Sequence, residues 1–180
     1  MSSVLYIAVG LLGLRLIAES VLAALNCAEV RRYAQKAPEA VAAIMDEVAY
    51  RQSVAYTLAR ARFGRVAECY DFAVLVLVLC GGVLPVLYDW VVSWGAAEAA
   101  WTRAVFLLLV GVLLAIPGLP FDWWGQFRLE AKYGFNKATP ALWCGDKLKG
   151  LLLILLIGFP LLWVLLSLVE WVGAGWWIWG

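Results

Sequence analysis

The sequence predicts an all-α, polytopic membrane protein: four transmembrane helices and the start of a fifth, with amphipathic helices on the cytoplasmic side. Three observations carry this expectation. The 180 residues are 65% hydrophobic, with a mean hydropathy of +0.87, whereas a soluble domain is roughly half apolar. The apolar residues gather into runs close to the ~20 residues a helix needs to cross a bilayer. Blocks such as Phe72 to Val78 and Leu151 to Ile157 do not alternate polar and apolar residues as barrel strands would. A helix is then the conformation that satisfies its own backbone in lipid. Charge is low and balanced, 14 Lys+Arg against 13 Asp+Glu, which excludes the basic surface a nucleic-acid partner requires.

The expected spans are Val4–Leu25, Phe72–Val92, Arg103–Leu119 and Leu148–Val169, within one membrane domain covering residues 1–180. Nothing basic precedes the first run, so it reads as a retained helix rather than a cleaved signal. Pro85 and Pro160 lie inside the second and fourth spans and are expected to kink them. The third is the shortest, with Pro117 and Pro120 expected to end it. A further apolar stretch opens at Trp176-Trp177-Ile178-Trp179, read as a fifth helix cut short at Gly180.

Orientation follows from the loops. Segment 27–71 holds seven basic residues (Arg31, Arg32, Lys36, Arg51, Arg60, Arg62, Arg65). Segment 120–149 holds five (Arg128, Lys132, Lys137, Lys147, Lys149), and the connection from Ser93 to Thr102 holds none. The positive-inside bias places the two basic segments in the cytoplasm and the N-terminus outside. The expected location is a bacterial inner membrane rather than the endoplasmic reticulum. Tryptophans sort the same way, with Trp90, Trp94, Trp101, Trp171, Trp176, Trp177 and Trp179 outside and Trp123, Trp124 and Trp143 inside. Segment 27–71 is expected to be helical over much of its length, Ala-rich after Pro38, with its basic residues against anionic headgroups.

Four cysteines (Cys27, Cys69, Cys80, Cys144) lack any C-x-x-C spacing and read as small apolar filler. Histidine is absent from the chain, which removes the commonest general base and the commonest zinc ligand together.

The segment from Leu119 to Lys149 is too elaborate for a simple linker. Trp123, Trp124, Phe127 and Ala131 share one face of a helical wheel, while Asp122, Gln126, Arg128, Glu130 and Lys132 spread over the rest. Gly134 should stop this helix, with Phe135 in the closing apolar position. Thr139-Pro140 reads as an N-cap followed by proline at the first helical position, and Asp146 and Lys149 form an i, i+3 pair on the helix so begun.

Phe121, Phe127, Glu130, Gly134, Phe135, Asn136, Lys137, Thr139 and Pro140, followed by Asp146 and Lys149 and then Gly158-Phe159-Pro160, together resemble the N-terminal membrane domain of the CAAX prenyl protease family. The opening Leu14 to Ser20, Asn26, and the run from Tyr56 to Gly64 resemble it as well. Two departures stand out: Asp122-Trp123-Trp124 is bulky, and Ala131 replaces an acidic residue common there. The resemblance implies membrane helices around a large internal chamber and a zinc metallopeptidase whose H-E-x-x-H motif lies downstream of this domain. It implies no catalytic, cofactor-binding or metal residue in this chain, with zinc expected in the full-length protein. The implied partners are the lipid bilayer, the catalytic domain of the same protein, and a prenylated or membrane-associated polypeptide substrate.

Arg15 and Glu19, four apart near the middle of the first span, are read either as a polar patch on a chamber wall or as a structural pair. Glu130 and Asn136 either lock the loop or shape a substrate entrance. Glu68 and Asp71 are expected near the inner membrane boundary, and Asp89 and Glu170 near the outer one. A stand-alone membrane scaffold without protease activity is the alternative function.

Overall fold

The computed structural model describes residues 3–35, 41, 45–95 and 99–173. The Ala-rich stretch after Pro38 falls largely outside the described residues, and the run beginning at Trp176 and the charge of Lys36 fall wholly outside them. All regular structure among the described residues is helical. Helix α1 is Ser3–Arg32, α2 Glu47–Cys80, α3 Val83–Val92 and α4 Ala100–Ala115. A tight turn, Ile116–Gly118, leads into α5, Leu119–Trp124, and a wide π turn, Gly125–Glu130. Helix α6, Pro140–Leu153, passes through a second wide turn, Ile154–Gly158, into α7, Phe159–Val172.

Local chemistry accounts for most of these boundaries. Arg31 and Arg32 occupy the last turn of α1, where cations offset the exposed carbonyl dipoles. Asp46 caps α2, its carboxylate accepting from Ala49 N at 2.6 Å.

The second expected span is not one kinked helix. It breaks at Gly81-Gly82, and Gly82 takes a left-handed φ of 74° that L-residues with a Cβ avoid. Pro85 is not the kink. It sits in the first turn of α3, whose first backbone bond runs from Val86 N to Gly82 O, so its missing N–H has no partner to lose. The third expected span likewise does not end at its prolines, and helical conformation runs from Ala100 to Glu130. Pro117 falls in the tight turn and Pro120 in the first turn of α5, both positions that tolerate proline. In the fourth, the wide turn Ile154–Gly158 stands just ahead of Pro160 and absorbs the carbonyl left without its N–H partner.

Among the described residues three helical runs are long and apolar enough to cross a membrane: Ser3–Arg32, Ala100–Glu130 and Pro140–Val172. The broken pair Glu47–Cys80 and Val83–Val92 makes a fourth if counted as one span.

The chain gathers into two compact units. The first, Met1–Cys80 with Pro117–Lys137, is built on α1 against α2, with α5 and its π turn also packed on α2. Among its described residues Cys27 and Val78 are buried, while Leu14, Ile17 and Leu22 of α1 are each more than half exposed. Such a bare apolar surface would be a liability in water and is what lipid covers.

The second unit, Gly81–Ile116 with Ala138–Gly180, packs α4 against α3 and α7. Its tightest point is the α3–α4 corner, where Val91 is 1% exposed and Thr102 and Ala104 are 0% exposed. Arg103 and Glu170 form an ion pair that ties the start of α4 to the end of α7.

Candidate functional site

Three places hold the residues singled out in the sequence. The first is a cleft of about 200 Å³ between α1 and α2. Leu12, Arg15, Leu16 and Glu19 line it from α1, and Glu68, Asp71, Phe72 and Leu75 from α2. Both sets follow i, i+3, i+4, i+7, the spacing of one helix face. Arg15 Nε donates to Glu19 Oε1 at 2.8 Å, as the i, i+4 spacing predicts.

The α1–α2 register sets Glu68 and Asp71 beside the part of α1 that carries Arg15 and Glu19. A Cβ on Gly13 would lie 3.9 Å from the ring of Phe72. Farther along, the Tyr50 hydroxyl donates to Tyr33 O at 2.9 Å. Three carboxylates and one guanidinium therefore share one mid-helix cleft.

The second place is the surface of α2 against which residues 119–135 pack. Phe121 lies 5.9 Å from Phe63 and 4.8 Å from Tyr70 between ring centroids. Gly125 lets the backbone approach Phe63, where a Cβ would sit 3.4 Å from the ring. Tyr133 lies 5.4 Å and Phe135 4.6 Å from Tyr56. Gln52 Nε2 donates to Tyr133 O, and the Tyr133 hydroxyl donates to Ala55 O. The face seated on α2 thus runs through Phe121, Gly125 and Tyr133. On the Trp123, Trp124, Phe127, Ala131 face, Phe127 lies tilted against Trp123 at 4.3 Å between ring centroids, while Trp124 and Ala131 are exposed.

The stop after this helix forms as the sequence indicates. Gly134 has a φ of 78°, Gly134 N donates to Ala131 O, and Phe135 N donates to Glu130 O at 2.9 Å. That pattern closes a helix through a left-handed residue. The closing apolar contact of Phe135 goes to Tyr56 of α2. Asn136 is half-buried in the turn that follows.

The third place, in the second unit, is the start of α6. Thr139 Oγ1 accepts from Leu142 N at 3.3 Å, with Pro140 at the first helical position. Thr139→Ala is expected to cost about 1 kcal/mol of stability, measured as a lowered unfolding midpoint in detergent, with Thr139→Ser near wild type. Asp146 and Lys149 approach to 4.0 Å with both side chains largely exposed, a pair worth a few tenths of a kcal/mol.

Histidine is absent from the sequence, and no three His, Cys, Asp or Glu side chains form a metal-holding group among the described residues. The four cysteines are free thiols, Cys27 buried and Cys69, Cys80 and Cys144 exposed.

Comparison with known proteins adds the following. Residues 27–180 match the family described as CAAX prenyl protease N-terminal, five membrane helices. CAAX prenyl protease 1 of Saccharomyces cerevisiae is 27% identical over 144 residues, 75% of this chain and 32% of that protein. The homolog from Oryza sativa is 30% identical over 141 residues, 74% of this chain and 33% of the relative. The human homolog is 28% identical over 141 residues, 74% of this chain and 29% of the relative. The crystal structure of S. mikatae Ste24p superposes with a TM-score of 0.73 at 24% identity, covering 88% of this chain and 39% of that one; it supports the fold. The chain spans about a third of the length of the curated relatives it matches.

Proposed function

Because the chain belongs to the CAAX prenyl protease family, as its N-terminal membrane domain, we propose that it builds part of an intramembrane chamber wall. In that role it supports the catalytic domain of a longer zinc metalloendopeptidase. The observation that carries this reading is the charged cleft between α1 and α2. Arg15, Glu19, Glu68 and Asp71 face one another beside the middle of an otherwise apolar helix. Charges at that depth are costly against hydrocarbon and belong next to water or protein. A water-filled chamber removes that cost, and lipid covers the opposite face of α1.

On this reading the chain is not itself catalytic. A zinc site of the H-E-x-x-H type needs two histidines and uses the motif glutamate as base, and those residues would come from the rest of the protein. The substrate would be a prenylated or otherwise membrane-associated polypeptide. The two basic segments would face the cytoplasm and the N-terminus the other side, in keeping with the lysine and arginine bias.

Thiol accessibility tests the chamber. In a variant with the four native cysteines replaced, a charged, membrane-impermeant thiol reagent is expected to label Leu16→Cys, which lines the cleft. Leu14→Cys, on the far side of α1, should be shielded by lipid. Equal protection of both positions overturns the reading. The purified 180-residue chain is expected to show no zinc-dependent peptidase activity, and cleavage by it would contradict the proposed division of labour.

A further inference from the structure

The first unit carries a second charged feature, outside the cleft. The contacts Tyr56–Tyr133 and Phe63–Gly125 bracket one stretch of α2 and one stretch of the helix packed on it. Between them lie Arg60 and Arg62 on α2, and Arg128 and Lys132 on the partner helix. All four are exposed, and Glu130 is the one carboxylate inside the bracket. Arg15, Arg32, Arg51 and Lys149 each have a carboxylate three or four residues away as partner. None of the four bracketed cations has a carboxylate partner among the described residues.

Three of them instead sit over aromatic rings. Arg60 lies 5.9 Å from the centroid of Tyr56, Arg128 5.7 Å from Trp124, and Lys132 5.7 Å from Tyr133. Arg60 spends one N–H on the Tyr56 hydroxyl at 2.9 Å, which leaves further guanidinium N–H groups for another acceptor, and Trp and Tyr prefer the membrane–water boundary. The register agrees. The bracketed stretch of α2 falls between the Gly13–Phe72 and Tyr33–Tyr50 contacts, alongside the part of α1 that passes from apolar residues to Glu29, Arg31 and Arg32.

We propose that Arg60, Arg128 and Lys132, the three cations held over rings, form a binding surface for the headgroups of anionic phospholipids. Among the described residues no carboxylate pairs with these cations, which leaves room for a counter-charge at the edge of the hydrocarbon. A lipid phosphate supplies it at the right depth, and guanidinium groups bind phosphate through paired N–H donors. The surface lies apart from the α1–α2 cleft and does not depend on the chamber reading.

Native mass spectrometry of the detergent-solubilised chain tests this, with phosphatidylglycerol and phosphatidylcholine offered in equal amounts. Wild type should retain phosphatidylglycerol preferentially, and the preference should weaken as ionic strength rises. In Arg60→Gln/Arg128→Gln/Lys132→Gln it should fall about fivefold for each charge removed. Arg60→Lys/Arg128→Lys, which keeps the charges, should retain most of it. Circular dichroism reports whether each variant is folded, and the salt series on wild type stands even where one is not. Equal retention of the two lipids by wild type, a salt-independent preference, or an unchanged preference in the folded triple variant overturns the proposal. Displacement of the lipid by millimolar inorganic phosphate overturns it too, since that would mark a site for the free anion.

Discussion

Tyr56→Ala is expected to lower stability by about 2–3 kcal/mol and to release the loop that follows Gly134. Tyr56 is the point at which that loop meets α2. Its ring lies 5.4 Å from that of Tyr133 and 4.6 Å from that of Phe135 between centroids. Its hydroxyl accepts from Arg60 at 2.9 Å. Truncation removes two aromatic contacts and leaves a half-filled space beneath Phe135, while Gly134 still forces the chain to turn there. Tyr56→Phe separates the contributions. It keeps the ring contacts and loses one exposed hydrogen bond, so it should cost only about 0.5 kcal/mol. Unfolding midpoints in mixed detergent micelles give the magnitudes, and limited proteolysis between Tyr133 and Thr139 reports the loop. If Tyr56→Ala unfolds like wild type, or Tyr56→Phe matches it, the ring is not what holds the segment.

Much of this arrangement was legible in the sequence because its causes are local. The Arg15–Glu19 pair needs only a four-residue separation on a helix. The stop at Gly134 and the start at Thr139-Pro140 depend on a positive φ and on a side-chain oxygen three residues ahead of an unpaired N–H. Membrane character follows from composition and run length, and the motif around Phe127, Glu130 and Asn136 pointed to the family that residues 27–180 match.

The rest depends on partners distant in sequence or on competition between neighbouring signals. Glu68 and Asp71 precede an apolar run, and nothing local shows that the α1–α2 register brings them beside Arg15 and Glu19. Hydropathy reports that a face is apolar, not which helix will cover it. Phe121 stands in the family motif, but nothing local marks it, Gly125 or Tyr133 as the residues that α2 covers. In the second span Pro85 is expected to kink the helix, because proline is the stronger helix breaker on average, whereas the break falls at Gly81-Gly82. In a first turn, however, proline breaks nothing, and paired glycines carry the larger conformational freedom.

Gly95→Val is the second large effect, expected to cost about 2 kcal/mol in the other unit. A Cβ at Gly95 would stand 2.4 Å from two ring carbons of Trp101 and 3.1 Å from Thr102 Oγ1. No real side chain tolerates the first distance. The Thr102 side of the corner has no room to give, since Val91, Thr102 and Ala104 are essentially sealed. Relief must therefore come from Trp101, which is 38% exposed and has to swing its ring outward. The identity of the obstacle makes the test specific. In a Trp101→Leu background the ring is gone, and Gly95→Val should then cost under ~1 kcal/mol, a coupling of about 1–2 kcal/mol between the two positions. Additive effects across the four proteins of that cycle would mean that backbone conformation, rather than the Trp101 ring, demands glycine at 95.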